Sequence, residues 1–216
     1  MAIIKNTIGK EIYGKLDGFT VYQRLGQTII RTIAGVRPTG AGQLAQQERL
    51  KGCTTFYKAV RAAGLSPYWK QVEKLPGQTG YNRFISLNLP AFSDKGWIEA
   101  PEKVHLTEKA RLELPEEITC NPVPDTPEET RWRITWKDKT GYPSRQASDQ
   151  AIIAVMRGGK YFDVKFIEPT GNALRGEGQL EFVKPENLEE YVYGYLFFQS
   201  TDGDQVSASH YLGSLL

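Results

Sequence analysis

QLAQQERLKGCTTFYKAVRAA (residues 43–63) is the only long stretch of this chain with a clear helical period. Its apolar side chains recur every three or four residues and share one helix face, the pattern of an amphipathic helix that packs on a core. The members of this face are Leu50, Cys53, Phe56, Tyr57 and Val60. Pro38 precedes the stretch and Gly64 follows it, and both residue types mark helix ends. The sequence therefore predicts a helix over residues 43–63.

Two shorter helices are predicted downstream. SPYWKQVEKL (residues 66–75) carries a proline in its first turn and stops at Pro76, whereas TGYNRFISLNL (residues 79–89) ends before Pro90. Three such short helices form a bundle with little core of its own. We therefore expect the bundle to dock on the N-terminal hairpin or on a partner chain.

The N-terminal arm, residues 1–37, alternates glycines with short β-forming runs. FTVYQR (residues 19–24) and QTIIRTI (residues 27–33) flank Leu25-Gly26, which predicts a tight hairpin. Its basic residues are Lys5, Lys10, Lys15, Arg24, Arg31 and Arg37. Such an arm either lies against a neighbouring subunit or a phosphate backbone, or is an ordinary hairpin with solvated charges.

A proline-rich, acidic passage follows the helices at residues 99–130, and this composition predicts a connector between two domains. Within it, KVHLT (residues 103–107) and RLEL (residues 111–114) are predicted short strands. The connector would separate an arm and helical segment, residues 1–98, from a β domain, residues 131–216.

Residues 131–216 have the pattern of an antiparallel sandwich. RWRITW (residues 131–136) alternates apolar and polar side chains, and YVYGYLFFQS (residues 191–200) has aromatic residues on both faces, which indicates burial on both sides. Further predicted strands are AIIAVM (151–156), YFDVKF (161–166), GQLEFV (178–183) and QVSASHYLG (205–213). Short strands with frequent turns favour an immunoglobulin-like β-sandwich, so the predicted fold class is α+β.

Charge is unevenly distributed, although the net charge is only +2. Residues 1–100 hold 14 Lys or Arg against 6 Asp or Glu, whereas the remainder holds 13 against 19. This asymmetry suits an interface with nucleic acid or with an acidic face of another copy. The alternative is two domains that differ in acidity.

No catalytic constellation is recognisable. Cys53 lies on the apolar helix face, and Cys120, His105 and His210 are too few to suggest a Cys/His metal site. His210 on the last strand has no partners at a spacing that indicates a catalytic triad, so an edge-strand surface histidine is the preferred interpretation. We predict no enzyme activity, no metal and no cofactor.

Two further residue pairs have both a binding and a structural interpretation. Asp202 and Asp204 are calcium-ligand types, but the ligand ladder of an EF-hand is missing and turn chemistry explains both residues. Trp132 and Trp136 are able to stack on bases or sugars, yet tryptophans on one strand face are more often core. The structural interpretation is preferred for both pairs.

Three stretches resemble a family of uncharacterised proteins of similar length from Bacteroidetes bacteria and their phages. They are GKLDGFTVYQRLGQTIIRT (14–32), RPTGAGQLAQQERL (37–50) and YGYLFFQSTDGDQVSASHYLG (193–213). In that family a G-K-x-G…R-x-G…R arm leads to a T-x-x-Q-L-x-x-R helix. The chain closes on an F-x-S-x-D-G-x-x-V-S-x-S-x-Y-L-G hairpin. Gln47 and Gly40 depart from this pattern, because the family favours Arg and Thr at these positions.

The order of arm, glutamine-rich helix and tryptophan is also similar to that of small structural proteins encoded among phage virion genes. The resemblance implies a non-enzymatic structural protein of a bacteriophage virion, a head, neck or tail accessory or assembly component. Its expected partners are copies of itself and other virion proteins. No signal peptide or membrane span is predicted, so the expected location is the virion, or the bacterial cytoplasm before assembly.

Two other functions remain open. The basic N-terminal half suits a nucleic-acid-binding accessory protein, and the sandwich suits a carbohydrate- or surface-binding module if it carries an exposed aromatic patch. For the preferred virion role, the predicted interface residues are Lys10, Lys15, Tyr22, Arg24, Arg31, Arg37, Gln43 and Arg49.

Overall fold

The computed structural model describes residues 2–3, 14–16, 18–24, 27–33, 40–72, 78–108, 112–123, 131–138, 142, 144–159 and 161–215. The chain divides into two compact units, Met1–Ala41 and Gly42–Leu216. The boundaries predicted near residues 98 and 130 differ from this division. The reason is that the helices and the C-terminal strands share buried side chains.

The N-terminal unit is an antiparallel sheet with the strand order β1-β4-β3-β2. Its strands are β1 (Ala2–Ile3), β2 (Gly14–Leu16), β3 (Phe19–Arg24) and β4 (Gln27–Thr32). Strands β3 and β4 pair from Phe19 opposite Thr32 to Arg24 opposite Gln27, which confirms the predicted hairpin. Its turn, residues 25–26, lies outside the described residues.

The three predicted helices are present as α1 (Ala41–Ala62), α2 (Ser66–Gln71) and α3 (Gly80–Asn88). On α1, Cys53, Phe56 and Val60 are buried as predicted. The prediction was wrong for Leu50, whose side chain is 44% exposed. Gly52, which was not predicted to face the core, is buried because α1 lies against the backbone of Gly96 at this position.

The second unit contains two antiparallel sheets. A four-stranded sheet has the order β11-β10-β7-β8 and a three-stranded sheet has the order β5-β6-β9. The strands are β5 (Glu116–Pro122), β6 (Arg131–Lys137), β7 (Gln150–Arg157), β8 (Val164–Ile167), β9 (Gln179–Val183), β10 (Tyr191–Gln199) and β11 (His210–Ser214). This mixture of helices and antiparallel sheets confirms the α+β class.

Some predicted strands are shorter or absent. Strand β8 begins at Val164 instead of residue 161, and β11 begins at His210 instead of residue 205. Residues 104–108 and 112–114 form no strand, so the predictions for KVHLT and RLEL were wrong in the described part of both stretches. These residues are fixed by side-chain contacts with other elements instead of by strand pairing.

The four-stranded sheet separates two cores. Its inner face packs on the three-stranded sheet, and its other face packs on the helices. Strand β10 shows this division directly: Leu196 and Phe198 enter the core between the sheets, whereas Tyr195 and Phe197 enter the helical core. This confirms the predicted burial of β10 on both sides. The helices therefore dock on the C-terminal sheet, a docking surface that the sequence analysis did not predict.

Part of the passage predicted to be a connector runs across the helical layer; we call this segment, residues 101–106, the strap. The indole Nε1 of Trp69 donates a hydrogen bond to the carbonyl oxygen of Leu106 at 3.0 Å. The Tyr195 hydroxyl donates to the carbonyl oxygen of Pro101 at 2.9 Å. The buried amide of Asn88 donates to the His105 carbonyl at 3.1 Å and accepts from the His105 N–H at 2.8 Å. Residues 101–106 therefore belong to the core structure of the second unit.

Candidate interaction surfaces

One face of the N-terminal sheet brings several predicted interface residues to neighbouring register positions. Lys15 and Arg31 both pair with Thr20, so these three residues form a row across three strands. Tyr22 and Arg24 follow Thr20 at alternate positions of β3, and alternate positions of a strand belong to one face. The side chains of Tyr22 and Arg31 are exposed. This set, which we call the basic arm face, consists of Lys15, Tyr22, Arg24 and Arg31.

The other predicted interface residues do not join this set. Lys10 and Arg37 lie outside the described residues. Gln43 is exposed in the first turn of α1, and Arg49 forms an ion pair with Asp94 at 2.6 Å. Both helix residues belong to the second unit, and Arg49 already has a structural contact there. Their role in an interface stays a prediction.

Sequence reasoning missed a buried group of charges around Arg175, whose side chain is completely buried. The guanidinium donates to carboxylates of Asp138 and Asp149, the latter at 3.2 Å, and to the backbone carbonyl of Glu113. Its carbon Cζ lies 4.8 Å from the ring centroid of Phe198. No sequence signal marks this arginine, because its partners come from three separate segments. Since both acids are paired with the arginine, we assign the group a structural role.

The closing hairpin, which carries the strongest part of the family resemblance, uses its polar residues to form a turn. Asp202 accepts hydrogen bonds from the Ser200 hydroxyl and, at 3.1 Å, from the N–H of Asp204. The Ser200 hydroxyl oxygen also accepts from the N–H of Gln205 at 3.0 Å. Gly203 has a φ of +76°, which favours glycine. Turn chemistry therefore accounts for Asp202, as the structural interpretation predicted.

The two motif serines that follow bind backbone groups. The buried Ser207 accepts from the N–H of Phe198 at 2.9 Å, and Ser209 accepts from the N–H of Leu106 at 3.0 Å. The ring of Tyr211 lies 5.5 Å from that of Tyr195 between centroids. These side chains thus hold the last strand and the strap onto the sheet, and the hairpin motif serves folding.

Burial shifts the pKa values of both thiols and both imidazoles in the direction that favours their neutral forms. Burial raises the pKa of Cys53 to about 12 and that of Cys120 to about 11, so both thiols are protonated at neutral pH. Burial lowers the pKa of both His105 and His210, and the charge of Glu108 partly opposes this shift at His105. Within the described ranges, no three His, Cys, Asp or Glu side chains are grouped so as to hold a metal ion.

The tryptophans divide into core and surface residues. Trp132 and Trp136 are buried, which confirms the core interpretation of this pair. Trp97, in contrast, is 45% exposed, and sequence reasoning did not single it out. The only available signal was its position in SDKGW, a turn-forming segment that is polar apart from the tryptophan.

The comparison with known families identifies one similarity. Residues 110–213 match the model of a family of unknown function, DUF6266. This match contains strands β5 to β10 and most of β11, so it coincides with the two C-terminal sheets and leaves out α1, α2 and α3. Neither a curated protein nor a solved structure matches the chain. None of the helices in the described part of the chain has the length and apolar character of a membrane span.

Proposed function

We propose that the protein is a non-enzymatic structural component of a bacteriophage virion that acts through contacts between subunits. The observation that carries this proposal is the N-terminal unit, a four-stranded sheet within 41 residues that is compact by itself. Units of about this size usually need a disulfide, a metal or a partner for stability. Both cysteines lie outside this unit and neither is bonded, which excludes a disulfide within it. We propose that a neighbouring subunit supplies the stabilising contact.

Charge supports the same arrangement. The first 41 residues hold six basic and two acidic side chains, and the chain beyond residue 100 has an excess of acidic ones. Complementary charge steers association and fixes the orientation of partners. We propose that the basic arm face of one subunit contacts an acidic surface of the next. The similarity of the arm and closing hairpin to phage proteins supports the assignment to a virion.

We further propose that the C-terminal sheets form a sandwich of the immunoglobulin type. Labelled in chain order, β5, β6 and β9 correspond to strands A, B and E, and β7, β10 and β11 correspond to C, F and G. Strand β8 pairs beside β7 as strand C′ does in variable-type domains. This order supports the proposal, which does not include the disulfide of antibody domains because Cys53 and Cys120 are unpaired.

Sedimentation velocity of the full chain over a range of concentrations tests the assembly role. We expect self-association that the Arg31→Glu substitution weakens, because it reverses a charge of the basic arm face. Lys58→Glu is the matched control, since Lys58 is exposed on α1 and its substitution changes net charge equally. A chain that stays monomeric at every concentration, or that responds equally to both substitutions, contradicts the proposal.

The row of Lys15, Thr20 and Arg31 across three strands also favours a second candidate function, nucleic-acid binding by the arm. Phosphate contacts make affinity fall steeply with salt, by a slope of about 0.9 per phosphate in a double-logarithmic plot. Arg31→Glu should therefore weaken binding to duplex DNA and reduce the slope, whereas Lys58→Glu should leave the slope unchanged. Absence of binding at low salt excludes this function without affecting the assembly test, which contains no DNA.

A further inference from the structure

A cleft of about 520 Å³ opens on the second unit between the turn that follows α3 and the loop that joins β7 to β8. Its walls include Trp97, Tyr161, Arg157, Glu190, Gly158 and Gly159. We propose that this cleft binds a carbohydrate, with sugar rings stacked on Trp97 and Tyr161 and hydroxyl groups bound by Arg157 and Glu190. The proposal does not depend on the role in a virion.

The backbone of Trp97 is held in place, and its indole is 45% exposed. The N–H of Ser93 donates to the Trp97 carbonyl at 2.8 Å, and the Ser93 hydroxyl oxygen accepts from the Trp97 N–H at 3.3 Å. The neighbouring Gly96 is backed closely by α1. Exposing a large apolar side chain costs free energy, and ligand pockets are lined by aromatic side chains, so an exposed tryptophan on a fixed backbone segment beside a cleft suits a binding surface.

A second exposed aromatic side chain, Tyr161, lines the same cleft. Tyr161 is 63% exposed, and the guanidinium carbon of Arg157 lies 5.8 Å from its ring centroid. Gly158 packs closely on the cleft residue Val192, because a Cβ at Gly158 would lie only 3.1 Å from a methyl group of Val192. Arg157 also forms an ion pair with Glu190, and this pair places a donor and an acceptor together at the cleft.

These side chains match the two chemical aspects of a sugar. A pyranose presents C–H groups on its ring face, which suit the negative face of an aromatic ring. Its hydroxyls each donate and accept hydrogen bonds; arginine supplies only donors and an ionised glutamate only acceptors, so the pair can satisfy both needs. A polyproline peptide also binds aromatic clefts, but its prolines offer only carbonyl acceptors, which Arg157 can bind and Glu190 cannot. The cleft therefore favours a carbohydrate.

A glycan array screened with the labelled full chain tests the proposal, followed by titration of maltohexaose, cellohexaose, chitohexaose and the best array ligand. Binding is read by tryptophan fluorescence, because Trp69, Trp132 and Trp136 are at most 8% exposed and the solvent-sensitive signal comes from Trp97. Variants without Trp97 are measured by calorimetry. We expect Trp97→Ala and Tyr161→Ala each to lower affinity about tenfold or more, the loss typical of removing one stacking ring.

Matched variants separate stacking from folding. Tyr161→Phe keeps the ring and should bind within about threefold of the original chain. Phe166→Ala removes an aromatic residue that is 44% exposed and lies outside the cleft, so its affinity should be unchanged. Thermal unfolding confirms that each variant is folded. The proposal is overturned if no glycan binds, if Trp97→Ala and Phe166→Ala behave alike, or if a proline decapeptide binds in place of the sugars.

Discussion

Arg175 shows how much one buried charged residue contributes to the stability of the fold. Its side chain is fully buried, and Asp138 and Asp149, the carboxylates it contacts, are only 3% and 2% exposed. Burying a charge is unfavourable unless it is paired, so the arginine and the two acids depend on one another. The Trp136 indole donates to the carbonyl of the same arginine at 2.9 Å, which links the cluster to the core between the sheets.

Replacing this arginine tests that dependence. Arg175→Met keeps an aliphatic chain but removes the guanidinium from two buried carboxylates. Among the described residues, the Asp149 carboxylate then keeps only its hydrogen bond from the N–H of Gln146, and Asp138 its 3.7 Å contact with Arg145, so the free energy of unfolding should fall by about 3–5 kcal/mol. Urea denaturation measures the change. Arg133→Met is the control, because Arg133 pairs with Glu181 at 2.7 Å on an exposed strand face, where such a pair contributes about 0–1 kcal/mol. Equal losses of unfolding free energy in the two variants would show that the buried cluster contributes no more to stability than an exposed ion pair.

The thiols make a second prediction at this scale. With a pKa near 12, Cys53 is ionised in only about one molecule in ten thousand at pH 8, and Cys120, with a pKa near 11, in about one in a thousand. Ellman's reagent should therefore modify both thiols slowly in the folded chain, Cys120 before Cys53, and rapidly in urea. Cys53→Ala and Cys120→Ala variants identify which thiol reacts. Rapid modification of Cys53 without denaturant would contradict its burial.

At the scale of elements, the position of α1 depends on two glycines. A Cβ on Gly52 would lie 2.1 Å from the carbonyl oxygen of Gly96, a distance that no side chain tolerates without a backbone shift. Gly96 has a φ of +73°, which favours glycine. The close approach holds α1 against the turn that presents Trp97.

Gly52→Ala should therefore destabilise the protein by about 1–3 kcal/mol, the usual cost of overpacking, although alanine is the better helix former. Gly42→Ala in the same helix is the matched control. A Cβ at Gly42 meets no heavy atom within 4 Å, so this substitution should be neutral or stabilising by up to about 1 kcal/mol. Thermal unfolding compares the two variants, and a Gly52→Ala variant as stable as Gly42→Ala would show that the helix is not closely packed there.

At the scale of the whole molecule, the second unit has three layers, and the middle sheet needs both outer ones. Met156, Tyr195 and Phe197 are buried on the side that the helices cover. The family match begins at residue 110 and so leaves out the covering layer. The matched region alone would expose this apolar face to water.

Two fragments test that expectation. Residues 42–216 should fold, because the boundary follows the division between the two compact units. Residues 110–216 should aggregate or bind a hydrophobic dye, because they lack the helical layer that covers the middle sheet. Gel filtration and near-ultraviolet circular dichroism distinguish the outcomes. A well-folded, monomeric 110–216 fragment would show that the sandwich does not need the helices.

Local patterns were sufficient to predict much of the secondary structure. The periods of α1, β6 and β10 identified their elements and most of their buried residues, because side-chain direction follows from position in a helix or strand. Gly64 and Pro90 placed the ends of α1 and α3 to within about two residues, whereas α2 ends at Gln71 and not at the predicted residue 75. The burial of β10 on both sides was readable from its aromatic residues. The eight predicted interface residues were not tested by the fold, although four of them occupy register positions of the basic arm face.

Only the folded chain shows which elements meet. The strap at residues 101–106, the Arg175 cluster and the cleft beside Trp97 each join segments far apart in sequence, and no local period encodes such contacts. Leu50 and Gly52 illustrate the same limit, because the helical pattern is satisfied by either one facing the core. The approach of Gly96 decides between them, since a side chain at position 52 would occupy the space of its carbonyl oxygen.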